Sequence, residues 1–440
     1  MARPGPFLPR WAAARNTPDG WQRWACLGAF MVPGLSLTLP SGYSYGALLL
    51  LLAALASAPR WLRQPLPRAG WALVALFSAM ALLWLMDESA GPSLGSLDRP
   101  VKYLLALPCV FFLMAWPPRL PWLVAGIAAG GMGAGLVGLA QILLLGLPRA
   151  NGFTNAIQYG DLAILLALQC GLLLAVLWRS LAPWQRAMLA ASALLALLAS
   201  ILSQARGGWL ALALVLPVCA ALLARVTRQR RAVYAGLGLL LLAGSLLTQT
   251  SAMQQRLELA QQEVQAYLDT GMGDTSVGHR LAHWQMAWEM GRERPLTGWG
   301  RAGYEAEKAR RVAAGLAPAV VLEFGHAHNE ALDLWAKHGL PGVLLLLLFY
   351  GLPLLLLWPT PARVRDADGQ LDRPALALCL IGVALPLCYA AFGLTQVFLA
   401  HNSGNLFYLF MCPLTLAALH GHQAGLARRA GAPAASGGAV

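Results

Sequence analysis

Charge is what this chain has least of. Asp, Glu, Lys and Arg together make up 12% of its 440 residues, while 58% are hydrophobic. A soluble domain carries about a quarter charged residues, so an ordinary water-soluble globule is excluded. The few charges are unevenly signed, 32 basic against 19 acidic, for a net charge of +13. That excess does not point to nucleic acid, because the basic residues cluster in short segments between apolar runs, where they set membrane topology. Cysteine offers no framework either. Cys26, Cys109, Cys170, Cys219, Cys379, Cys388 and Cys412 all fall inside apolar runs without a CxxC pair, so they read as small core residues, not as a disulfide or metal set. An HExxH frame is also missing. The spacing of His279 with His283, and of His326 with His328, therefore has no support as a zinc site. Finally, no internal repeat is evident and the apolar runs are almost free of charge, which argues against a transporter built from two similar halves.

What the chain has is apolar runs of about membrane-span length, near residues 22–38, 44–58, 70–86, 101–117, 121–147, 160–178, 185–202, 208–224, 232–250, 339–358, 374–398 and 404–420. They predict an all-α polytopic membrane protein of about 12 transmembrane helices, since a lone chain in lipid must satisfy its own backbone hydrogen bonds. The basic N-terminus is followed by a run without a clear small-residue cleavage site, so the first run reads as a retained span. With the N-terminus inside, Arg60, Arg63, Arg68, Arg119, Arg179, Arg186, Arg225, Arg228, Arg230, Arg231, Arg363, Arg365 and Arg373 all fall on the cytoplasmic side, as the positive-inside rule requires. Four parts follow: an N-terminal bundle of about nine spans (1–250), an outer loop that is mainly helical (251–338), the last spans (339–420), and a polar, small-residue-rich cytoplasmic tail (421–440) expected to be disordered.

The exceptions to the charge rule are Arg99 with Lys102, Arg149 and Arg206, all on the outer side, and phosphate binding is a physical reason for basic residues there. Arg206 lies in SQARGGWLAL, where two glycines allow a tight turn and close approach of a ligand; the alternative is an arginine snorkelling at the interface. Arg280 opens GHRLAHWQMAWEMGRE, a predicted helix from Val277 to about Gly291 that shares a face with Trp284; the alternative is a solvated helix charge. His328 precedes a helix that Asn329 would cap. At the outer boundary a neutral histidine can take a proton from a hydroxyl, or can simply bond a loop carbonyl. Glu323, Glu330 and Asp333 lie close enough in sequence to orient that histidine or to replace it as base. Lys102, Gln396 and His401 fall at outer ends of spans, where capping and packing are the plainer roles. Residues 252–269 and GYEAEKARRVAAGLAP read as further helices, the latter with Lys308, Arg310 and Arg311 on a solvated face or against an anionic lipid head group.

At these residues the chain resembles the O-antigen ligase (WaaL) family, in the superfamily shared with O-antigen polymerases and bacterial O-oligosaccharyltransferases. The resemblance rests on His328-Asn329 followed after nine residues by Gly339-Leu340-Pro341-Gly342, and on Ser203 to Gly207 with Arg206 between two spans. It also rests on Arg280 and Trp284 followed by Pro295, Gly298 and Gly300. The number of spans and the one large loop before the last three are similar as well. The resemblance implies a GT-C-like glycosyltransferase of the bacterial inner membrane, multi-pass with both termini cytoplasmic and its active site facing the periplasm. Its donor would be O-antigen on undecaprenyl pyrophosphate and its acceptor the lipid A–core oligosaccharide, with membrane lipids as surroundings, no nucleic acid partner, and neither cofactor nor metal. In that chemistry Arg206 and Arg280 clamp the leaving pyrophosphate, His328 acts as general base, and in-line attack inverts the anomeric centre. Lys102, Asn329, Trp284, Gln396 and His401 would contact substrate. The D-x-D pair of many lipid-dependent glycosyltransferases is not found on the outer side; Asp366 with Asp368 falls in a cytoplasmic loop. A polymerase would use a sugar-chain acceptor and an O-oligosaccharyltransferase a protein hydroxyl, and relatives of the second kind often carry an extended C-terminal domain. A lipid-linked glycan flippase is the alternative from another class.

Overall fold

A computed structural model describes residues 20–86, 97–227, 251–270, 275–366 and 368–429, with Arg231 and Gly238 between them. It is built from α-helices. Apart from an isolated bridge between Arg365 and Leu371, no strand pairing occurs among the described residues. The helices are α1 (Gly20–Leu35), α2 (Gly42–Trp61), α3 (Arg68–Met86), α4 (Asp98–Ala115), α5 (Leu120–Leu143), α6 (Ala156–Leu177), α7 (Pro183–Ser203), α8 (Gly207–Thr227), α9 (Ser251–Thr270), α10 (Ser276–Glu293), α11 (Gly300–Ala313), α12 (Glu330–Leu357), α13 (Arg373–Phe392) and α14 (Asn402–Arg429).

Eight of these, α2, α3, α5, α6, α7, α8, α12 and α13, are long and apolar enough to cross a membrane among the described residues, so the chain is a polytopic membrane protein. The predicted runs at 22–38, 101–117 and 404–420 are also helical, as α1, α4 and α14. They differ in composition or length: α1 has 16 residues, while α4 opens with Asp98, Arg99 and Lys102. The run at 232–250 lies outside the described residues. Leu48, Leu52 and Leu55 of α2 and Leu344, Leu347, Leu348 and Leu355 of α12 are exposed. In water such a leucine surface is costly; in hydrocarbon it is the lipid-facing side of the bundle.

Two helices form the centre. The apolar windows of α6 and α13 are 83% and 89% buried, against 33% for α7, α8 and α12. Close packing relies on small residues, since lipid gives no hydrophobic drive for helices to associate. In α5, a Cβ on Gly126 would stand 2.5 Å from the Phe30 carbonyl oxygen, and one on Gly135 would stand 2.6 Å from that of Leu195. Bare glycines at these points let α1 and α7 lie directly on the α5 backbone.

The segment between α8 and α12 carries its own small core. Ala282, Met286, Ala287 and Met290 of α10 pack with Tyr304 of α11, with Val320 and Val321, and with Ala336 of α12. The expectation that Lys308, Arg310 and Arg311 form a solvated or lipid-facing basic patch is corrected here. Lys308 and Arg311 are buried. Arg311 pairs with Glu307 at 2.8 Å and with Glu293 at 2.6 Å, tying α11 to α10, while exposed Arg310 pairs with Glu307 at 2.6 Å. Acidic partners on the facing helix turned a basic run into an internal strut, and Arg310 and Arg311 hold the Glu307 carboxyl down to about 2.

A second correction concerns the C-terminal end. Helix α14 runs on to Arg429, past residue 420 where a disordered tail was expected. His422 reaches Asp372 at 2.7 Å and Gln423 donates to the Arg363 carbonyl at 3.3 Å. Those contacts hold residues whose composition alone reads as tail.

Candidate active site

Residues 204–206 form the turn between α7 and α8. Gln204 adopts a left-handed conformation (φ 58°) that ends α7, and the Ser203 hydroxyl accepts from the Ala205 amide at 3.1 Å. Arg206 follows and is exposed. The next two glycines are wedged into the bundle. A Cβ on Gly207 would meet Thr395 Oγ1 at 2.5 Å and Asp161 Oδ2 at 3.5 Å, and one on Gly208 would meet Asp161 Oδ1 at 2.8 Å. The Arg206 turn is thus seated directly on Asp161 of α6. Asp161 is fully buried, and neither of its carboxylate oxygens has a hydrogen-bond partner.

Arg280 arrives from the other side, on the first turns of α10. Thr275 caps that helix by accepting from the Gly278 amide at 3.1 Å. Half-buried Arg280 has its pKa lowered by burial and by the neighbouring positive charge of Arg206, while Asp161 acts the other way. Two guanidinium groups from distant parts of the sequence therefore share one field, with one buried carboxylate beneath them. An anion is what such a pair lacks.

His328 is the third member. It takes a left-handed backbone conformation (φ 52°) that non-glycine residues seldom adopt, immediately before Asn329 caps α12 by accepting from the Leu332 amide at 3.0 Å. The segment leading to it is strapped down. Lys308 donates to the carbonyls of Val321 and Phe324 at 3.3 and 2.7 Å, Lys337 donates to the Gly325 carbonyl at 2.9 Å, and Asp333 accepts from the Ala327 amide at 3.0 Å. The bend after the helix start is as the glycines foretold: Gly339 (φ 62°) kinks α12, and the Leu340 amide donates to the Pro295 carbonyl at 2.7 Å.

The His328 ring lies 4.4 Å from that of His326, 4.6 Å from Phe324 and 5.5 Å from His283. Burial and the charge of Arg280 push its pKa down to about 4, with Gln396 opposing. Burial likewise takes His326 to about 3 and His283 to about 4. These imidazoles are neutral at physiological pH, and Nδ1 of His328 is buried without a partner. Among the described residues no three His, Cys, Asp or Glu side chains are arranged to hold a metal ion.

The remaining sequence candidates divide. Gln396 is buried and coupled to His328, and the His401 ring lies 6.0 Å from His326. Trp284, one turn past Arg280, has an indole nitrogen that is buried without a partner. Asn329 has its amide engaged: besides the cap, it donates to the Leu394 carbonyl at 3.2 Å. Lys102 stands apart, bonded to Asp98 and Asn402 in a pocket that none of Arg206, Arg280 and His328 lines. The carboxylates expected near His328 are committed elsewhere. Glu330 accepts from the Leu399 amide at 3.1 Å, Asp333 pairs with Lys337 at 2.8 Å, and Glu323 lies 3.8 Å from His279. Sequence reasoning missed Asp161. The available signal was an acidic residue at the head of an otherwise uncharged span, which in a membrane protein marks function by default.

The bundle thus brings two arginines and a buried histidine together at the junction of a folded loop and its spans. The comparison with known families narrows this. Residues 191–347 match the family model described as O-antigen ligase (Wzy_C), and the chain carries a domain of that family across this stretch. It is also 30% identical over 156 residues to an uncharacterized protein of Haemophilus influenzae. That alignment covers 36% of this chain and 37% of the relative, so the chain spans little more than a third of the length of the curated protein it matches.

Proposed function

We propose that this protein is an O-antigen ligase, a glycosyltransferase that moves a glycan from undecaprenyl pyrophosphate to a sugar hydroxyl of the lipid A–core oligosaccharide. The observation that carries this reading is the meeting of Arg206, Arg280 and His328, all inside the stretch that matches the family. The acceptor oxygen attacks the anomeric carbon and the carbon–oxygen bond to pyrophosphate breaks in line, inverting that centre. The hydroxyl proton passes to the His328 imidazole, and the electron pair leaves with undecaprenyl pyrophosphate. Arg206 and Arg280 supply bidentate positive charge where the leaving group's negative charge develops. Asp161 lies under the Arg206 turn and acts electrostatically on Arg280. Trp284, Gln396 and His401 line the approach.

In this reading the chain crosses the inner membrane about twelve times with both ends cytoplasmic. Residues 1–250 and 339–420 form the bundle, and 251–338 stand in the periplasm. The test is reconstitution of the purified protein with lipid-linked glycan and lipid A–core. Glycan attached to the core supports the reading. Longer lipid-linked glycan makes the protein a polymerase, a glycosylated protein hydroxyl makes it an O-oligosaccharyltransferase, and movement of the lipid across the bilayer without transfer makes it a flippase.

A further inference from the structure

Apart from the arginine pair and the histidine lies a second cationic centre. A pocket of about 190 Å³ is lined by Asp98, Arg99 and Lys102 at the start of α4, by Arg301 of α11, and by Asn402 and Asn405 at the start of α14. Among the described residues that line it, three cations face one carboxylate, an excess of positive charge. Both α4 and α14 begin here, and their first backbone amides add to that potential. Arg99 stacks over Trp84 at 4.5 Å, which fixes its guanidinium in place. Asn405 is 2% exposed, yet its Oδ1 has no hydrogen-bond partner. A buried amide oxygen left unpaired is costly, and a ligand that brings a hydroxyl donor as well as negative charge satisfies it.

The pocket connects to the candidate base. The charge of Arg99 acts on His401, whose ring lies 6.0 Å from His326, which in turn lies 4.4 Å from His328. The transfer reaction needs two anionic amphiphiles at once, a donor pyrophosphate and an acceptor. With the donor on Arg206 and Arg280, this second centre, linked to His328 through the His401 and His326 rings, is left for the acceptor.

We infer that the pocket binds a phosphorylated sugar of the acceptor lipid: Arg99, Lys102 and Arg301 hold the phosphate and Asn405 accepts from a neighbouring hydroxyl. This rests on the ligase reading for the identity of the acceptor. It assigns Lys102 to the second substrate.

The experiment measures equilibrium binding by the full-length protein in nanodiscs of zwitterionic lipid. The probes are lipid A–core with its phosphates, the same acceptor stripped of phosphate, phosphatidylglycerol and inorganic pyrophosphate. The expected result is at least tenfold tighter binding of the phosphorylated than of the stripped acceptor. Arg99→Gln and Arg301→Gln should each remove most of that difference, whereas Arg206→Gln leaves it intact; an unchanged thermal melt of each variant shows that the loss is not one of folding. Equal binding of both acceptors overturns the proposal, and so does an equal loss with Arg206→Gln. Competition by phosphatidylglycerol or pyrophosphate as effective as by the acceptor also overturns it, in favour of a general head-group or pyrophosphate site. Because binding is read without turnover, a protein that discriminates the acceptors but transfers no glycan refutes the ligase reading and leaves the subsite standing.

Discussion

Replacing Arg280 by Gln makes two changes at once, and both have a direction set by the structure. On the proposed reading, the first is loss of a charged donor to the leaving pyrophosphate. Removing one preorganised donor to a developing charge costs about 10²- to 10³-fold in kcat, so a loss of that order is expected with the donor KM changing less. The second concerns His328. Burial is the larger cause of its lowered pKa and the Arg280 charge the next, bringing it to about 4 from an ordinary 6.5. The neutral base therefore survives in the free wild-type enzyme down to about pH 4 and is lost below it. Without Arg280 burial remains the main depressing cause, opposed by Gln396 and Asp333, and the acid limb of kcat/KM moves up to a value between about 4 and 6.5. Bound pyrophosphate neutralises Arg280 in the wild type, so the acid limb of kcat, which reports the substrate complex, should lie above that of kcat/KM. The assay is initial ligation rate in proteoliposomes from pH 4 to 9, at limiting and saturating donor. If Arg280→Gln keeps kcat within twofold of wild type, or if its kcat/KM limb stays near pH 4, the pairing of this arginine with the base is wrong.

Three further outcomes are expected. Asp161→Asn keeps the volume of the side chain under the Arg206 turn but removes the acidic group that acts on Arg280; ligation should fall about 10- to 100-fold, as misplacement of positioning groups does, with the melting temperature little changed, and unaltered activity removes Asp161 from the site. Lys337→Met leaves Asp333 buried without its partner and frees the Gly325 carbonyl; the penalty for breaking a buried pair is about 3–5 kcal/mol, visible as faster amide exchange over residues 321–328, and unchanged exchange there would show that this strap does not hold the segment. The third is acid sensitivity of the loop. His283 is fully buried and its pKa is lowered to about 4, so the unfolded state binds the proton first as pH falls below 6.5. Stability is intact above that value and declines toward pH 4 by up to about 3 kcal/mol from this residue. His283→Phe should flatten the decline in a thermal melt series, and a slope equal to wild type places the acid sensitivity elsewhere.

Much of the fold is legible because its causes are local. Apolar runs of span length become helices in lipid regardless of what they touch, and most of the twelve runs are helical where described. The cap at Asn329, the kink at Gly339 and the turn around Arg206 follow from the conformational preferences of single residues. What was misread depends on partners. Lys308 and Arg311 belong to a basic, solvent-like stretch, yet they are buried because Glu293, Glu305 and Glu307 meet them there. The composition of residues 421–429 is that of a tail, yet Asp372 and Arg363 hold them in helix α14.

The sequence by itself determined that this is a helical membrane protein and which basic and histidine side chains were unusual for their place. It marked Arg206 as a positive charge where topology disfavours it, Arg280 as a loop-helix charge sharing a face with Trp284, and His328 as a histidine at a helix start beside the membrane. Only the tertiary structure decided how these residues are grouped. It set Asp161 beneath the Arg206 turn, made His328 neutral by burying it beside Arg280, and placed Lys102 with Arg99 and Arg301 in a separate pocket. The physical reason is that a charge's effect depends on distance and local dielectric, and neither is encoded by neighbours in the chain.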